Sequence, residues 1–408
     1  MIKALSQAIH SPILAAFRYR NYRLYWLGQF SSVLAQSMEI IAQGWLVLEL
    51  TGSPLMLGLT GLAYSVPRVG LTLVGGAVAD RVKRRRIMIF IQAIVAFLFF
   101  VLANLIVAEM VRMWHVMSIA FLSGSLRTFD RPSRAALLPA MVPREEIGSA
   151  VAASGTIWQF NRLFGPALAG GLIYTSGVGL TYYFCFLVSL AAVVLWLPIR
   201  IEQQILAAGE SGLVQHMLGG LSYIRHNEIF AVLISMTLFN SLFGMSYLIL
   251  MPVFARDILL VGSRGYGFLQ SVGGGGALLG AFVAAYLAYS QRQGRQVLFS
   301  SLIFGALLIG FSLSPWYALS LVLVFIINIA NQLYITLINT ILQLKLPDEL
   351  RGRVMGIYGL TWDLMPLGGM IAGAIAEYHG VPVAVLIGGG MVFTLSLVLR
   401  ARLLRVDR

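Results

Sequence analysis

Long apolar runs alternate with short polar, basic stretches along the whole chain. Ile87–Ala108 and Gly179–Pro198 contain no charged residue, and about 20 such residues suffice to cross a bilayer core. The pattern predicts helical spans near 22–48, 55–78, 87–108, 114–132, 150–175 and 179–198. A second set follows near 229–251, 265–288, 297–313, 317–340, 354–377 and 381–400. Buried helices of a large soluble protein would explain one or two of these runs, not twelve. The longest polar stretch, 199–228, carries Arg200, Glu202, Gln203, Gln204, Glu210 and Arg225. It reads as a central cytoplasmic loop with a short surface helix. That loop divides an N-terminal six-helix bundle, 1–198, from a C-terminal one, 229–408.

Charge placement gives the expected orientation. Arg112, Arg256 and Arg264 fall in external loops, and Arg68 and Arg162 within spans. The remaining 24 of the 29 basic residues are assigned to cytoplasmic segments, which puts both termini and the central loop inside. Composition agrees: 59% of residues are hydrophobic and 11% charged, with a mean hydropathy of +0.84, against roughly 25% charged in a soluble domain. The net charge of +13 does not indicate a nucleic-acid partner, because the basic residues sit in the gaps between spans and not on a soluble module. The single cysteine, Cys185, lies in an apolar run and leaves no disulfide or cysteine-based metal site. The N-terminal segment, ending in Arg18, Arg20 and Arg23, does not read as a cleavable signal peptide. His10, His115, His216, His226 and His379 are scattered, and no phosphate-binding Gly-rich loop is present. Neither enzyme chemistry, a cofactor, a metal nor direct ATP use is expected.

An offset of 204 residues superposes Gly61 on Gly265, Gly70 on Gly274 and Gly76 on Gly280. It also puts Pro143 on Pro347, Gly148 on Gly352, Gly155 on Gly359, Trp158 on Trp362 and Gly165 on Gly369. Glycine matches alone are cheap in a chain with 42 glycines; Pro and Trp at the same offset are not. Each repeat holds six spans, so both insert in one orientation, as in transporters whose bundles move about a midplane site.

The segment Gly76-Ala-Val-Ala-Asp80-Arg81-Val-Lys83-Arg84-Arg85 resembles the loop signature of the major facilitator superfamily, with Lys83 where a second glycine is usual. Asn21–Gln29, Glu49–Pro54, Arg131–Pro139 and Pro347–Arg353 resemble its bacterial branch of enterobactin and macrolide exporters. The resemblance implies an all-α membrane protein of twelve transmembrane helices in two pseudo-symmetric six-helix bundles, in the bacterial cytoplasmic membrane and monomeric. It also implies a cytoplasmic latch of Gly76, Asp80, Arg81, Arg84, Arg85 and Arg353, in which Asp80 meets the positive N-terminal end of span 11. Gly165, Pro166, Gly170 and Gly171 resemble the antiporter signature of drug exporters, with one extra residue inside it.

Charges inside spans cost about 2.5–3.5 kcal/mol each on insertion scales, so they face protein or a polar pathway. Glu39, Arg68, Arg162 and Asp363 are the candidates. Gln29, Ser32, Gln36, Glu39 and Gln43 step by three and four along one face of span 1. Asn328, Asn331, Gln332 and Asn339 occupy one side of span 10, and Asn240 and Ser241 belong to span 7. Gln36, Gln43, Arg68, Arg162, Asn240, Asn328, Asn331 and Gln332 are the expected substrate contacts. Trp26, Trp158, Trp362 and Phe243 are read mainly as packing. A carboxyl in a low-dielectric cavity is readily protonated, so Glu39 is the expected proton carrier and Asp363 the runner-up. Arg68 and Arg162 are their expected counter-charges. The reading is a proton-coupled exporter of small amphipathic molecules, drug-like or siderophore-like, working by alternating access. An importer or lysolipid flippase on the same scaffold, or a non-transporting sensor, are the rival readings.

Overall fold

The structure, a computed structural model, describes residues 15–79, 84–200, 213–287, 290 and 292–407. Among these it is mostly helical, with no strand. The principal helices of the first half are α1 (Arg20–Thr51), α2 (Pro54–Ala79), α3 (Arg84–Val107), α4 (Met113–Leu137) and α5 (Ile147–Trp196). The second half begins with α6 (Leu213–His226) and α7 (Glu228–Phe239). A π-helical turn, Asn240–Gly244, leads to α8 (Ser246–Val253), and a second, Phe254–Ile258, ends that span. Then follow α9 (Gly262–Leu287), α10 (Gln293–Ser312), α11 (Tyr317–Lys345), α12 (Asp348–Asp363), α13 (Met365–His379) and α14 (Val381–Val398).

Among the described residues, eight helical stretches are long and apolar enough to cross a membrane. One of them, Arg144–Trp196, covers two of the expected spans. It bends at Gly177, where φ is 80° and ψ 171°, a conformation open to glycine and strained for other residues. Its counterpart in the second half is Gly380, φ 86° and ψ 155°, between α13 and α14. The two turns stand 203 residues apart, one short of the offset of 204 in the sequence repeat. The repeat reappears in the packing: α3 lies along α5, and α10 along α14.

Two compact units are present, one of Met1–Leu46 and Val66–Gly209, the other of Val47–Ser65 and Glu210–Arg408. In the second unit, Phe230, Leu233, Tyr334, Leu337, Ile338 and Ile341 anchor the core. The glycines of α9 allow it to lie against α11. A methyl group added at Gly276 would collide with the Phe325 carbonyl, and one at Gly280 would stand 2.6 Å from that of Ile329. The Gly273–Gly276 run is therefore a packing surface, consistent with small residues permitting close helix approach. Large apolar side chains remain exposed on α3, α5 and α10, among them Phe90, Phe97, Leu187, Val194 and Phe299, as expected of surfaces solvated by lipid.

Candidate functional site

In the first unit, the N-terminal end of α1 is held by the very residues that carry the family resemblance. The Asn21 amide donates to the Arg200 carbonyl at 2.9 Å, Tyr22 Oη to Ala150 at 2.8 Å, and Trp26 Nε1 to Ala153 at 2.9 Å. Gly28 leaves room for the Trp196 indole, whose Nε1 donates to the Tyr25 carbonyl at 3.2 Å. These contacts fix the rotation of α1 and hence which way its polar face points.

Glu39, one or two turns past the middle of that helix, is buried and accepts a hydrogen bond at Oε2 from Arg127 Nη2, 3.0 Å away. Their side chains are 7% and 8% exposed. The sequence leads to the expectation of Arg68 or Arg162 beside Glu39, and Arg127, within the expected span 114–132, is not among the candidate charges. The observed partner is Arg127, because α4 continues unbroken to Leu137 and carries its charges inward. Arg127, Asp130 and Arg134 are spaced by three and four and so share a face. Arg134 pairs with Asp130 at 2.7 Å and donates from Nη2 to Ser32 Oγ at 2.9 Å. Ser32 in turn donates to Gln92 Oε1 at 2.7 Å, and the Arg134 guanidinium lies 4.8 Å from the centre of the Trp196 ring. Spans 4, 1 and 3 are thereby tied by one directional chain of hydrogen bonds, and span 6 by the cation–π contact of Trp196 with Arg134. Gln36 and Gln43 flank Glu39 on α1 and are half-buried. Arg68, Arg162 and Asp363 are half-buried and engaged by other groups. Asp363 stands at the break between α12 and α13.

In the second unit the expected polar residues form a real cluster. Asn240 Nδ2 donates to Asn331 Oδ1 at 3.2 Å, and Asn331 Nδ2 to Met245 Sδ at 3.3 Å. Asn328 Nδ2 reaches Tyr247 Oη at 3.0 Å. Gln332 donates to Thr336 one turn along α11, at 3.0 Å. Asn339 accepts from Gln343 on the exposed side of that helix. The π-helical turn starts at Asn240, where Met245 N–H closes on the Asn240 carbonyl at 2.8 Å. Such bulges recur at functional positions because they re-aim side chains. Asn240 Oδ1 and Ser241 Oγ are buried without a hydrogen-bond partner, a costly state that a polar substrate group would relieve. Hydropathy gives no signal for a π turn; the cluster was found from its amides, the bulge was not.

Of the latch residues, Asp80 and Arg81 lie outside the described residues. Gly76 belongs to α2 and Arg84 opens α3. Arg85 caps the end of span 6, donating to the carbonyls of Trp196, at 3.4 Å, and Leu197. Arg353 lies against Gly219 of α6. In the antiporter-like motif, Gly165 admits Ser37 of α1, whose Cβ would stand 2.6 Å from an added methyl. Gly170 is buried, while Gly171 faces open space. The repeat partner of Gly165, Gly369, meets Ile249 of span 7, and Gly368 meets the Leu242 backbone. The same close approach therefore occurs in both halves.

A family model described as transmembrane secretion effector matches residues 11–408. The chain belongs to the transmembrane secretion effector family. Macrolide efflux protein A of Streptococcus pyogenes is 24% identical to it over 93% of this chain and 96% of that protein. The enterobactin exporter EntS of Shigella flexneri is 24% identical over 83% and 80%. A crystal structure of a bacterial homologue of the human lysosomal transporter Spinster, titled as inward-facing and unoccupied, superposes with a TM-score of 0.74 at 13% identity, covering 95% of this chain and 98% of that one. This secretion effector chain therefore has the major facilitator fold and is a multi-pass membrane transporter. Its family and relatives are transporters, not enzymes.

Proposed function

We propose that the chain is a proton-coupled exporter of small amphipathic molecules, drug-like or siderophore-like, in the bacterial cytoplasmic membrane. In this reading it crosses the membrane twelve times with both termini inside, and works by alternating access as a monomer. The observation that carries it is the buried Glu39–Arg127 pair in a chain whose relatives are named as efflux proteins.

Glu39 is the proton carrier. The hydrogen bond from Arg127 favours the ionised form of the carboxylate. When a conformational change draws Arg127 away, the carboxyl is left in a low-dielectric site and takes a proton; substrate binding favours the conformation in which Arg127 returns and the proton leaves. Proton and substrate then exclude one another, which is the condition for antiport. The amides of Asn240, Asn328 and Asn331 supply neutral donors and acceptors for a polar substrate, and Phe243 an aromatic face. Asp363 remains the second candidate acid.

The reading is tested by accumulation of a labelled macrolide and a catecholate siderophore in cells expressing the chain. Lower accumulation that a protonophore restores is expected. Raised accumulation would point to import, and export indifferent to a protonophore would contradict proton coupling.

A further inference from the structure

Residues 47–65, the outer turns of α1 and α2, lie early in the sequence but pack with the compact unit built from 210–408. The two helix ends at the tip of this hairpin are each capped from that later part of the chain. At the end of α1, Arg256 Nη1 donates to the Leu48 carbonyl at 2.9 Å. At the start of α2, Glu377 Oε2 accepts from Ser53 Oγ at 2.7 Å and from the Leu55 N–H at 3.3 Å. Ser53 Oγ also accepts from the Met56 N–H at 3.3 Å. Arg256, itself paired with Asp257 at 2.6 Å, thus sits at a helix C-terminus and the Glu377 carboxylate at a helix N-terminus, each matched to the sign of the local dipole. Below the caps, the seam is glycine-lined. A methyl at Gly58 would stand 2.5 Å from the Met370 Cα, and one at Gly373 2.6 Å from the Pro54 carbonyl.

The hairpin leaves this unit within α2 between Ser65 and Val66, immediately before Pro67. Proline removes the backbone hydrogen bond to the residue four positions back and bends a helix, so α2 has its weak point where its packing changes partner. The hairpin therefore carries charged caps at its tip, a glycine-lined seam along its packed face and a proline at its exit.

We propose that Glu377 and Arg256 form a two-charge clasp on hairpin 47–65 and set how often it is released. Neither residue touches the proposed proton or substrate sites; they act by positioning the hairpin. The proposal deepens the transport reading, yet its test needs no substrate.

The test is the rate at which a maleimide modifies Thr60→Cys in the purified full-length protein. Thr60 is 3% exposed and belongs to the segment 47–65 that packs with the later part of the chain. The native Cys185, fully buried in the other unit, reports general loosening. Thr60→Cys should react slowly in the otherwise unaltered chain, several-fold faster with Glu377→Ala or Arg256→Met, and faster again with both, while Cys185 stays unreactive. Glu377→Gln, which keeps an acceptor oxygen, should fall between. An unchanged Thr60→Cys rate in the variants, or an equal rise at Cys185, overturns the clasp. Absence of export by a chain that still shows the labelling difference would contradict the transport reading and leave the clasp standing.

Discussion

At the scale of single residues, the consequential feature is a pair of charges removed from water together. Breaking a buried pair by deleting one partner costs about 3–5 kcal/mol, because the other charge is left uncompensated, while replacing both costs far less. Arg127→Met should therefore lower the melting temperature in detergent markedly, and adding Glu39→Gln should restore most of the loss. A double variant as unstable as the single one would show that the pair contributes nothing as a pair. Glu39 was legible in the sequence because its neighbours Gln36 and Gln43 mark one polar face of a helix. Arg127 was not, because charges crowd toward a loop from Arg127 to Arg134. The spacing of Arg127, Asp130 and Arg134 was the available signal, since a loop has no reason to keep its charges on one helical face.

At the scale of elements, glycines divide into those that make contacts and those that do not. Gly276→Ala forces a methyl into the Phe325 carbonyl, so α9 and α11 must separate; the protein should lose folded yield and melt earlier. Gly171→Ala meets nothing within 4 Å and should be neutral or slightly stabilising by helix propensity. Equal effects of the two, measured by size-exclusion profile and melting, would contradict the packing account. Arg85→Ala should fray the end of span 6, whose carbonyls it caps, with Arg85→Lys a partial rescue. Hydropathy located the long helices well, including the turn at Gly177 within an otherwise continuous helix. The π turns at Asn240–Gly244 and Phe254–Ile258 escaped it, since adding one residue to a turn leaves an apolar run just as apolar.

At the scale of the whole molecule, the 204-residue repeat was the most informative line in the sequence. Gly177 and Gly380 turn the chain at positive φ within one residue of that offset, and α3 packs on α5 as α10 does on α14. Invisible to the repeat was the packing of 47–65 with the later part of the chain, because a repeat reports which residues correspond and not which ones touch. The central claim is that this transporter exchanges protons for substrate through Glu39. Reconstituted, acid-loaded vesicles test it directly, with a pH-sensitive dye following proton release on addition of macrolides, cationic drugs and catecholates. The account predicts substrate-triggered proton movement in the native chain and its loss in Glu39→Gln. Proton movement that persists in the variant would contradict the assignment of Glu39, and the absence of movement in the native chain with every compound would contradict antiport itself.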